Sequence, residues 1–348
     1  MGRAVIHNNA YLQHPGEGKR RKESFAMNRV LITGAGGYIG SNAALYFLQK
    51  GCRVTGMIHR EAAPRRLEGT GIELEKAELC DPGSLERLFD HRVYDFVIHI
   101  AARASDTGRD EMFRKVNYEA VRQLAVLSMK HHVKRFVYLS TSDVYGLHDF
   151  HGEGEDDLPL DHSARHPYPK YKILSEEWLR ANLPQERFSC VRPCVVWGNG
   201  DSTITPRAIA FLKRSPFVFH FGPWKGENRW PLAHVENVCR TLFAAMILPE
   251  AGGRGVTVLD SRRTMLREFY HAVAEKYLPG KTLREISLPL WSILPAAWLS
   301  STFSGDKALF DPTLYSLATI THHLDFSNAR MLEWLRKAGT EEAKDGTF

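Results

Sequence analysis

The chain lacks the features that mark several protein classes. Its five cysteines are odd in number and have no Cys-x-x-Cys spacing, which argues against a disulfide framework or a zinc site and indicates reduced thiols in a cytoplasmic protein. No run reaches the roughly 18–20 apolar residues of a membrane-spanning helix. The net charge is only +6, so nucleic-acid binding is not indicated. The histidine spacing predicts no metal site.

The two ends of the chain also lack ordered patterns. Residues 1–26 are polar and have no apolar core of a secretory signal, so we expect a disordered extension with Met27 as an alternative start. Residues 338–348 are expected to fray. The 348 residues are enough for one large or two modest domains.

A glycine-rich turn is the strongest positive signal. The apolar run at residues 29–33 leads into Gly34, Gly37 and Gly40, then into a helical pattern over 41–50 and a second strand over 54–58. Such glycines serve, in order, the tight turn, the approach of a pyrophosphate and close helix packing. A dinucleotide is therefore expected at this turn.

Apolar strand-like runs alternate with helical stretches along the first half. Further strands are expected at residues 94–100, 135–140 and 188–192, with a helix over 113–131. This alternation predicts an α/β fold with a Rossmann-type, doubly wound parallel sheet. We expect a dinucleotide-binding domain over 27–193 and a smaller, less regular substrate domain over 194–337. Within the latter, 233–262 is expected to return to the sheet.

One apolar stretch does not fit this alternation. Residues 286–299 are apolar but short and interrupted by two prolines. The pattern favours a core helix of the second domain over an apolar substrate wall or a membrane-surface patch.

A tyrosine and a lysine form the candidate catalytic pair. Tyr168 and Lys172 lie four residues apart, on one face of a predicted helix. An ammonium nearby is expected to lower the pKa of the phenol towards the working range. Tyr277 and Lys281 share the spacing, but the Leu-Pro-Gly between them should break a helix. Thr141, at the end of a predicted strand, is placed to hydrogen-bond a substrate oxygen.

Together these features resemble the extended short-chain dehydrogenase/reductase family, also called the NAD-dependent epimerase/dehydratase family, over about residues 27–335. The resemblance is carried by the TGxxGxxG-like turn at 33–40, the adenine-side element at 78–82 with Glu for the first Asp, the strand at 95–102, and residues 116–117, 191–193 and 197–201. Tyr171, before the lysine, departs from the usual Ser or Thr.

The resemblance implies roles for individual residues. Thr141, Tyr168 and Lys172 would be catalytic. Cofactor contacts would come from Gly34, Gly36, Gly37, Tyr38, Ile39, Gly40, His59, Arg60, Glu78, Leu79, Ala101, Ala102, Asn117, Tyr168, Lys172, Pro193 and Val195. Substrate contacts would come from Arg103, Asp143, Val144, Cys194, Trp197 and Trp230.

The second strand points to the type of cofactor. It ends Ile58-His59-Arg60, without the acidic residue that would hydrogen-bond the ribose 2′-hydroxyl of NAD. The two basic side chains could instead receive a 2′-phosphate. NADP(H) is therefore preferred, with NAD(H) as the alternative.

The substrate class has two candidates. Asn228 with residues 235–238, and the apolar stretch 286–299, resemble 3β-hydroxysteroid dehydrogenases and β-ketoacyl-type reductases, which act on apolar alcohols or ketones. Asp143 favours a nucleotide-sugar epimerase or dehydratase, but Trp230 occupies the position of that branch's diphosphate-binding arginine. A non-catalytic cofactor-binding protein is a third hypothesis. Association with a membrane surface and a homodimer stay open.

Overall fold

The computed structural model describes residues 28–59, 65–309 and 311–342. The expected N-terminal extension, Met27, Arg60 and residues 343–348 lie outside the described residues. At the end of the described chain, the carboxylate of Glu342 accepts a hydrogen bond from the backbone N–H of Ser261 at 2.6 Å. The expected fraying of residues 338–348 stays a prediction.

A parallel sheet of seven strands forms the centre of the molecule. Its strand order is β11-β7-β5-β4-β1-β2-β3, and every neighbouring pair is parallel. The described strands are β1 (Arg29–Thr33), β2 (Arg53–Ile58), β3 (Glu73–Lys76), β4 (Phe96–His99), β5 (Arg135–Leu139), β6 (Phe150–Glu153), β7 (Phe188–Pro193), β8 (Val195–Trp197), β9 (Phe217–Phe221), β10 (Leu232–His234), β11 (Gly255–Val258), β12 (Arg284–Leu288) and β13 (Leu324–Phe326).

Helices cover both faces of this sheet. The described α-helices are α1 (Tyr38–Gln49), α2 (Pro82–Asp90), α3 (Asp110–Arg114), α4 (Ala120–Lys130), α5 (Pro167–Asn182), α6 (Ile204–Arg214), α7 (Val235–Ile247), α8 (Leu266–Tyr277), α9 (Leu294–Phe303), α10 (Leu314–Thr321) and α11 (Ala329–Lys337). A π-helical turn, Lys115–Glu119, joins α3 to α4.

Burial on both faces explains the apolar runs of the central strands. Val30 and Ile32 of β1 face one cluster, which includes Phe47 of α1 and Leu242 of α7. Leu31 faces a second cluster on the other side, built with α2, α4 and α5. A parallel strand buried on both faces reads as a continuous apolar run. The predicted doubly wound Rossmann-type sheet is confirmed.

Two elements differ from the sequence prediction. Strand β3 was not predicted, because its Glu-Leu-Glu-Lys sequence has one apolar residue and lies at the sheet edge. The helix expected over 113–131 instead begins at Asp110 and contains the π-helical turn.

The second half of the chain is less regular, and part of it returns to the sheet. Strand β11 pairs with β7, and α7 packs across α1. Three small two-stranded pairings, β8 with β10, β9 with β12 and β6 with β13, lie outside the main sheet. A third apolar cluster forms around Leu212, Trp230 and Phe269.

The apolar stretch 286–299 is not a core helix, so that expectation is wrong. It is divided into the end of β12, a 3-10 turn after Pro289 and the start of α9 at Leu294. The side chains of Trp291 and Trp298 are 72% and 56% exposed. The prolines break the run into pieces too short to cross the core, which leaves its large side chains on the surface.

Candidate active site

The glycine turn between β1 and α1 has the geometry of a phosphate cradle. Gly34 adopts φ +71°, which favours glycine. A Cβ at Gly40 would lie 2.0 Å from the Gly34 carbonyl oxygen, and one at Gly37 would lie 3.3 Å from it. Helix α1 has no side-chain cap and no acidic residue in its first turn, so its N–H groups are open to an anion. The turn therefore fits the pyrophosphate of a dinucleotide.

A buried histidine fixes the loop that follows β4, opposite this cradle. The Thr33 hydroxyl lies 2.8 Å from Nδ1 of His99 and accepts hydrogen bonds from the backbone N–H groups of Ile100 and Ala101. The hydroxyl proton therefore goes to Nδ1. Burial lowers the pKa of His99 to about 3. The imidazole is neutral, and the bond holds Ala101 against Gly34.

The depressed pKa of His99 makes stability depend on pH. Its folded-state pKa lies below the ordinary 6.5, so the unfolded chain binds the proton first as pH falls from 6.5 to 3. Stability is then lost over that window, by up to about 1.4 kcal/mol per pH unit. We expect His99→Gln to flatten this part of the pH dependence in urea unfolding. His91→Gln, an exposed control, should keep the wild-type slope; equal slopes in all three proteins would contradict the prediction.

Thr141 and Tyr168 meet at the carboxyl end of β5. Thr141 lies two residues after the strand, and its hydroxyl accepts a hydrogen bond from the Asp143 N–H at 3.3 Å. The same hydroxyl is near enough to the phenol of Tyr168 to favour its ionised form. His166 caps α5 by accepting a hydrogen bond from the Tyr168 N–H at 3.3 Å. Pro167 then starts the helix with a suitable φ. These local contacts place the Tyr168 phenol at the carboxyl end of β5.

Lys172 lies one helical turn further on and is buried. Its Nζ donates to the carbonyl oxygen of Leu139 at 2.6 Å and lies 5.8 Å from the centroid of the Tyr168 ring. Burial lowers the pKa of Lys172 to about 7. The three side chains of the proposed catalytic set therefore lie together.

The pKa of the Tyr168 phenol differs from the sequence-based expectation. Burial raises the pKa of Tyr168 above its ordinary 10, and the neighbouring carboxylate of Asp143 raises it further. Desolvation penalises the charged phenolate, so the pKa of the phenol lies above its ordinary value and not below it as expected. Tyr168 is a neutral phenol at physiological pH and can donate a proton.

Sequence reasoning missed Tyr315, which reaches the site from α10. Its hydroxyl donates to Oδ2 of Asp143, and its ring stacks on His166 with centroids 4.0 Å apart. Burial raises the pKa of the Asp143 carboxyl. Tyr315 and Asp143 are 172 positions apart in the sequence, and no local motif marks Tyr315.

A buried ion pair supports the helix that carries the tyrosine and the lysine. Arg192 of β7 makes two hydrogen bonds to Glu176 of α5, with Nε 2.9 Å from Oε1, and donates to the hydroxyl of Tyr145 at 2.8 Å. The Glu176 carboxylate also favours the charged form of Lys172. A two-point guanidinium contact fixes direction as well as distance, so α5 is held in register with β7.

The other proposed cofactor residues are distributed around the cradle. His59 and Glu78 are exposed after β2 and β3, Leu79 is half-buried, Ala102 is exposed beside Ala101, and Pro193 and Val195 flank the end of β7. The Asn117 amide is directed elsewhere: it accepts from the Arg103 N–H at 2.8 Å and donates to the Arg103 carbonyl oxygen at 2.9 Å. It positions the loop after β4, and the proposed contact of Asn117 with the cofactor stays a prediction.

Arg66, which the sequence patterns did not single out, stands beside the same cradle. Its guanidinium donates to Oδ1 of Asn42 on α1 at 3.1 Å, and a Cβ at Gly200 would lie 2.4 Å from its Nη1. It adds a cation near the first turns of α1. Its position follows from the turn Arg65–Leu67, which has no recognisable motif.

Four of the six proposed substrate residues pack in the protein interior, and their role in binding substrate stays a prediction. Val144 and Cys194 belong to the main apolar cluster. Trp197 donates to Asp260 at 2.7 Å, and Trp230 donates to the carbonyl oxygen of Thr319 at 3.1 Å. Asp143 and Arg103 remain at the strand ends; the latter pairs with Asp306 at 2.9 Å.

Metal ligation and membrane crossing find no support in the described part of the chain. Residues 28–59, 65–309 and 311–342 contain no group of three or more His, Cys, Asp or Glu side chains able to hold a metal ion. Over the same ranges, none of the helices combines the length and apolarity needed to traverse a bilayer.

Comparisons with known proteins agree with this geometry. The sequence model of the NAD dependent epimerase/dehydratase family matches residues 30–259. The chain is 26% identical over 328 residues to short-chain dehydrogenase/reductase family 42E member 1 of Macaca fascicularis, covering 86% of this chain and 82% of the relative. It is 28% identical over 220 residues to 2-alkyl-3-oxoalkanoate reductase of Stenotrophomonas maltophilia, covering 62% and 64%.

A solved structure shares the fold. MoeE5 in complex with UDP-glucuronic acid and NAD superposes with a TM-score of 0.66 at 21% identity, covering 92% of this chain and 95% of that chain.

Proposed function

Since the chain belongs to the NAD-dependent epimerase/dehydratase family of extended short-chain dehydrogenases/reductases, we propose that it is an NAD(P)-dependent oxidoreductase. It moves hydride between nicotinamide and a secondary alcohol or ketone, and its substrate is apolar. The observation that carries the proposal is the meeting of Thr141, Tyr168 and Lys172 at the end of β5, across from the glycine cradle of β1.

The neutral phenol favours the reductive direction. A bound nicotinamide cofactor would supply or accept the hydride. Tyr168, kept protonated by burial, donates its proton to the carbonyl oxygen of the substrate, while the Thr141 hydroxyl orients that oxygen. Lys172, anchored on the carbonyl of Leu139, keeps a polar group beside the phenol. General acid catalysis of this kind contributes about 10²–10⁴-fold in rate.

The hydrogen bonds of Trp230 and its neighbour Arg229 support an apolar substrate, because both side chains already donate to backbone carbonyl oxygens. A sugar diphosphate needs fork-like cationic donors. The Trp230 side chain is 5% exposed and its indole N–H is bonded to Thr319, so it offers none. The neighbouring Arg229 donates its Nη1 to the Arg263 carbonyl oxygen at 2.6 Å. One relative is named as a 2-alkyl-3-oxoalkanoate reductase, which agrees with a ketone substrate.

A nucleotide-sugar epimerase or dehydratase is the second candidate. Asp143 supports it, because a carboxyl group next to Tyr168 could act as a second acid. A solved relative of the same fold holds UDP-glucuronic acid and NAD. In that case the reaction would be an internal oxidation and reduction, without net turnover of the cofactor.

A substrate screen distinguishes the two candidates. Reduced cofactor is incubated with the protein and a panel of medium-chain and polycyclic ketones, and separately with UDP-sugars. Ketone-dependent oxidation of the cofactor is expected. Conversion of a UDP-sugar without a change in cofactor redox state would instead support the epimerase or dehydratase.

We also propose that NADP(H) is the preferred cofactor, because Ile58-His59-Arg60 supplies cations and no acid at the end of β2. Arg60→Ala is expected to weaken NADPH binding about tenfold or more, the size of a charge-assisted hydrogen bond. NADH affinity should change little. Fluorescence titration of both cofactors measures this, and tighter binding of NADH than of NADPH by the unmodified protein would contradict the assignment.

A further inference from the structure

An exposed apolar patch lies on α9 and the turn before it. Residues 286–305 contain no charged side chain. Helix α9 buries only Ala297 and Ser300, so its large side chains face outward. We call the following residues the tryptophan patch, with the exposed fraction of each: Trp291 72%, Leu294 39%, Trp298 56%, Leu299 44% and Phe303 63%. A contiguous exposed set of this kind marks an interaction surface.

The charges that border the segment of the tryptophan patch in the sequence include three cations. Lys281, Arg284 and Lys307 border it in sequence, and none forms an ion pair within the described ranges. The acidic residues between positions 281 and 311 are each neutralised: Glu285 by Arg267, Asp306 by Arg103 and Asp311 by Arg207. The segment of chain that carries the patch, residues 281–311, therefore combines apolar side chains with cations that have no ion-pair partner within the described ranges.

We propose that the tryptophan patch docks on the surface of an anionic lipid bilayer, with α9 lying in the headgroup region. Trp side chains favour this interface. The Trp, Leu and Phe side chains that α9 leaves exposed would enter it, and the nearby cations would meet anionic headgroups. Ten residues make α9 about 15 Å long, half the roughly 30 Å of a hydrocarbon core, so the helix lies on the bilayer.

A second copy of the chain fits this surface less well. A two-fold symmetric contact brings the same patch of both copies together. That contact would bring together two segments that each carry the exposed cations Arg284 and Lys307, and like charges oppose it. Anionic headgroups instead neutralise them. Docking does not require catalysis, so this inference is independent of the proposed function.

Vesicle sedimentation of the full chain tests the proposal. The protein is mixed with phosphatidylcholine vesicles, or with vesicles of phosphatidylcholine and phosphatidylglycerol at about 7:3. We expect it to sediment with the anionic vesicles and to be released by added salt. The double variant Trp291→Ser/Trp298→Ser should bind the anionic vesicles with an affinity at least about tenfold lower. Arg284→Glu/Lys307→Glu should also lose binding while the apolar side chains stay in place.

An exposed apolar residue far along the chain from the patch serves as the control. Val126→Ser changes a 53%-exposed apolar residue on α4 and should bind vesicles as the unmodified protein does. Far-ultraviolet circular dichroism establishes that each variant is folded. Unaltered binding by both double variants would overturn the proposal. A protein that binds neither kind of vesicle would also overturn it. In that case, light scattering that shows a dimer, and its dissociation by Trp291→Ser/Trp298→Ser, would identify the patch as a contact between two copies.

Discussion

Replacing Tyr168 with Phe is expected to lower kcat for carbonyl reduction about a thousandfold, within the range of general acid catalysis. Phe keeps the ring but removes the proton that the neutral phenol would donate. Because the ring remains, cofactor affinity should change less than threefold. Stopped-flow measurement of hydride transfer, with a separate cofactor titration, distinguishes these two effects.

Tyr171→Phe is the matched control for this variant. Tyr171 lies on the same helix, is largely buried, and donates its hydroxyl to Asp110 on α3, away from Thr141. Its loss should leave kcat within a few-fold of the unmodified value. A Tyr168→Phe protein with near-normal kcat, or equal losses in both variants, would refute the role of Tyr168 as proton donor.

Replacing Gly40 with Ala is expected to have the second-largest effect. The new Cβ would lie 2.0 Å from the Gly34 carbonyl oxygen, a backbone atom that cannot move aside cheaply. Helix α1 must shift away from β1, which costs about 3 kcal/mol of unfolding free energy. The shift also moves the N–H groups that would hold the pyrophosphate, so cofactor affinity should fall at least about a hundredfold.

Gly305→Ala separates this effect from a general intolerance of glycine replacement. A Cβ at Gly305 meets no atom within 4 Å, so stability should change by about 0.5 kcal/mol or less. Urea unfolding and isothermal titration with NADPH measure the two quantities. A Gly40→Ala protein that keeps both values would show that the turn does not hold the cofactor.

Local signals in the sequence were sufficient for the parts of the molecule that depend on local constraints. The glycine turn was predictable because Gly34 and Gly40 meet a backbone requirement that only glycine satisfies. The central strands were predictable because burial on both faces requires unbroken apolar runs. The pair Tyr168 and Lys172 could be found because helical spacing places both on one face.

The remaining features depend on contacts between distant segments. Tyr315 reaches Asp143 across 172 positions, and no pattern near it indicates that contact. The pKa of Tyr168 follows from burial by the whole fold, which a count of nearby charges omits. The apolar run at 286–299 was misjudged because composition gives hydrophobicity but not whether another element covers it, and Trp298 is left exposed.

Hydride transfer with an isotopic label tests the central claim most directly. NADPH carrying deuterium on the reactive face of C4 is mixed with the protein and a ketone identified by the screen, and the alcohol is analysed by mass spectrometry. Our account predicts one deuterium on the carbinol carbon, formed at a rate that Tyr168→Phe lowers about a thousandfold. Product without deuterium, or deuterium transfer that is unaffected by loss of the phenol, would contradict it.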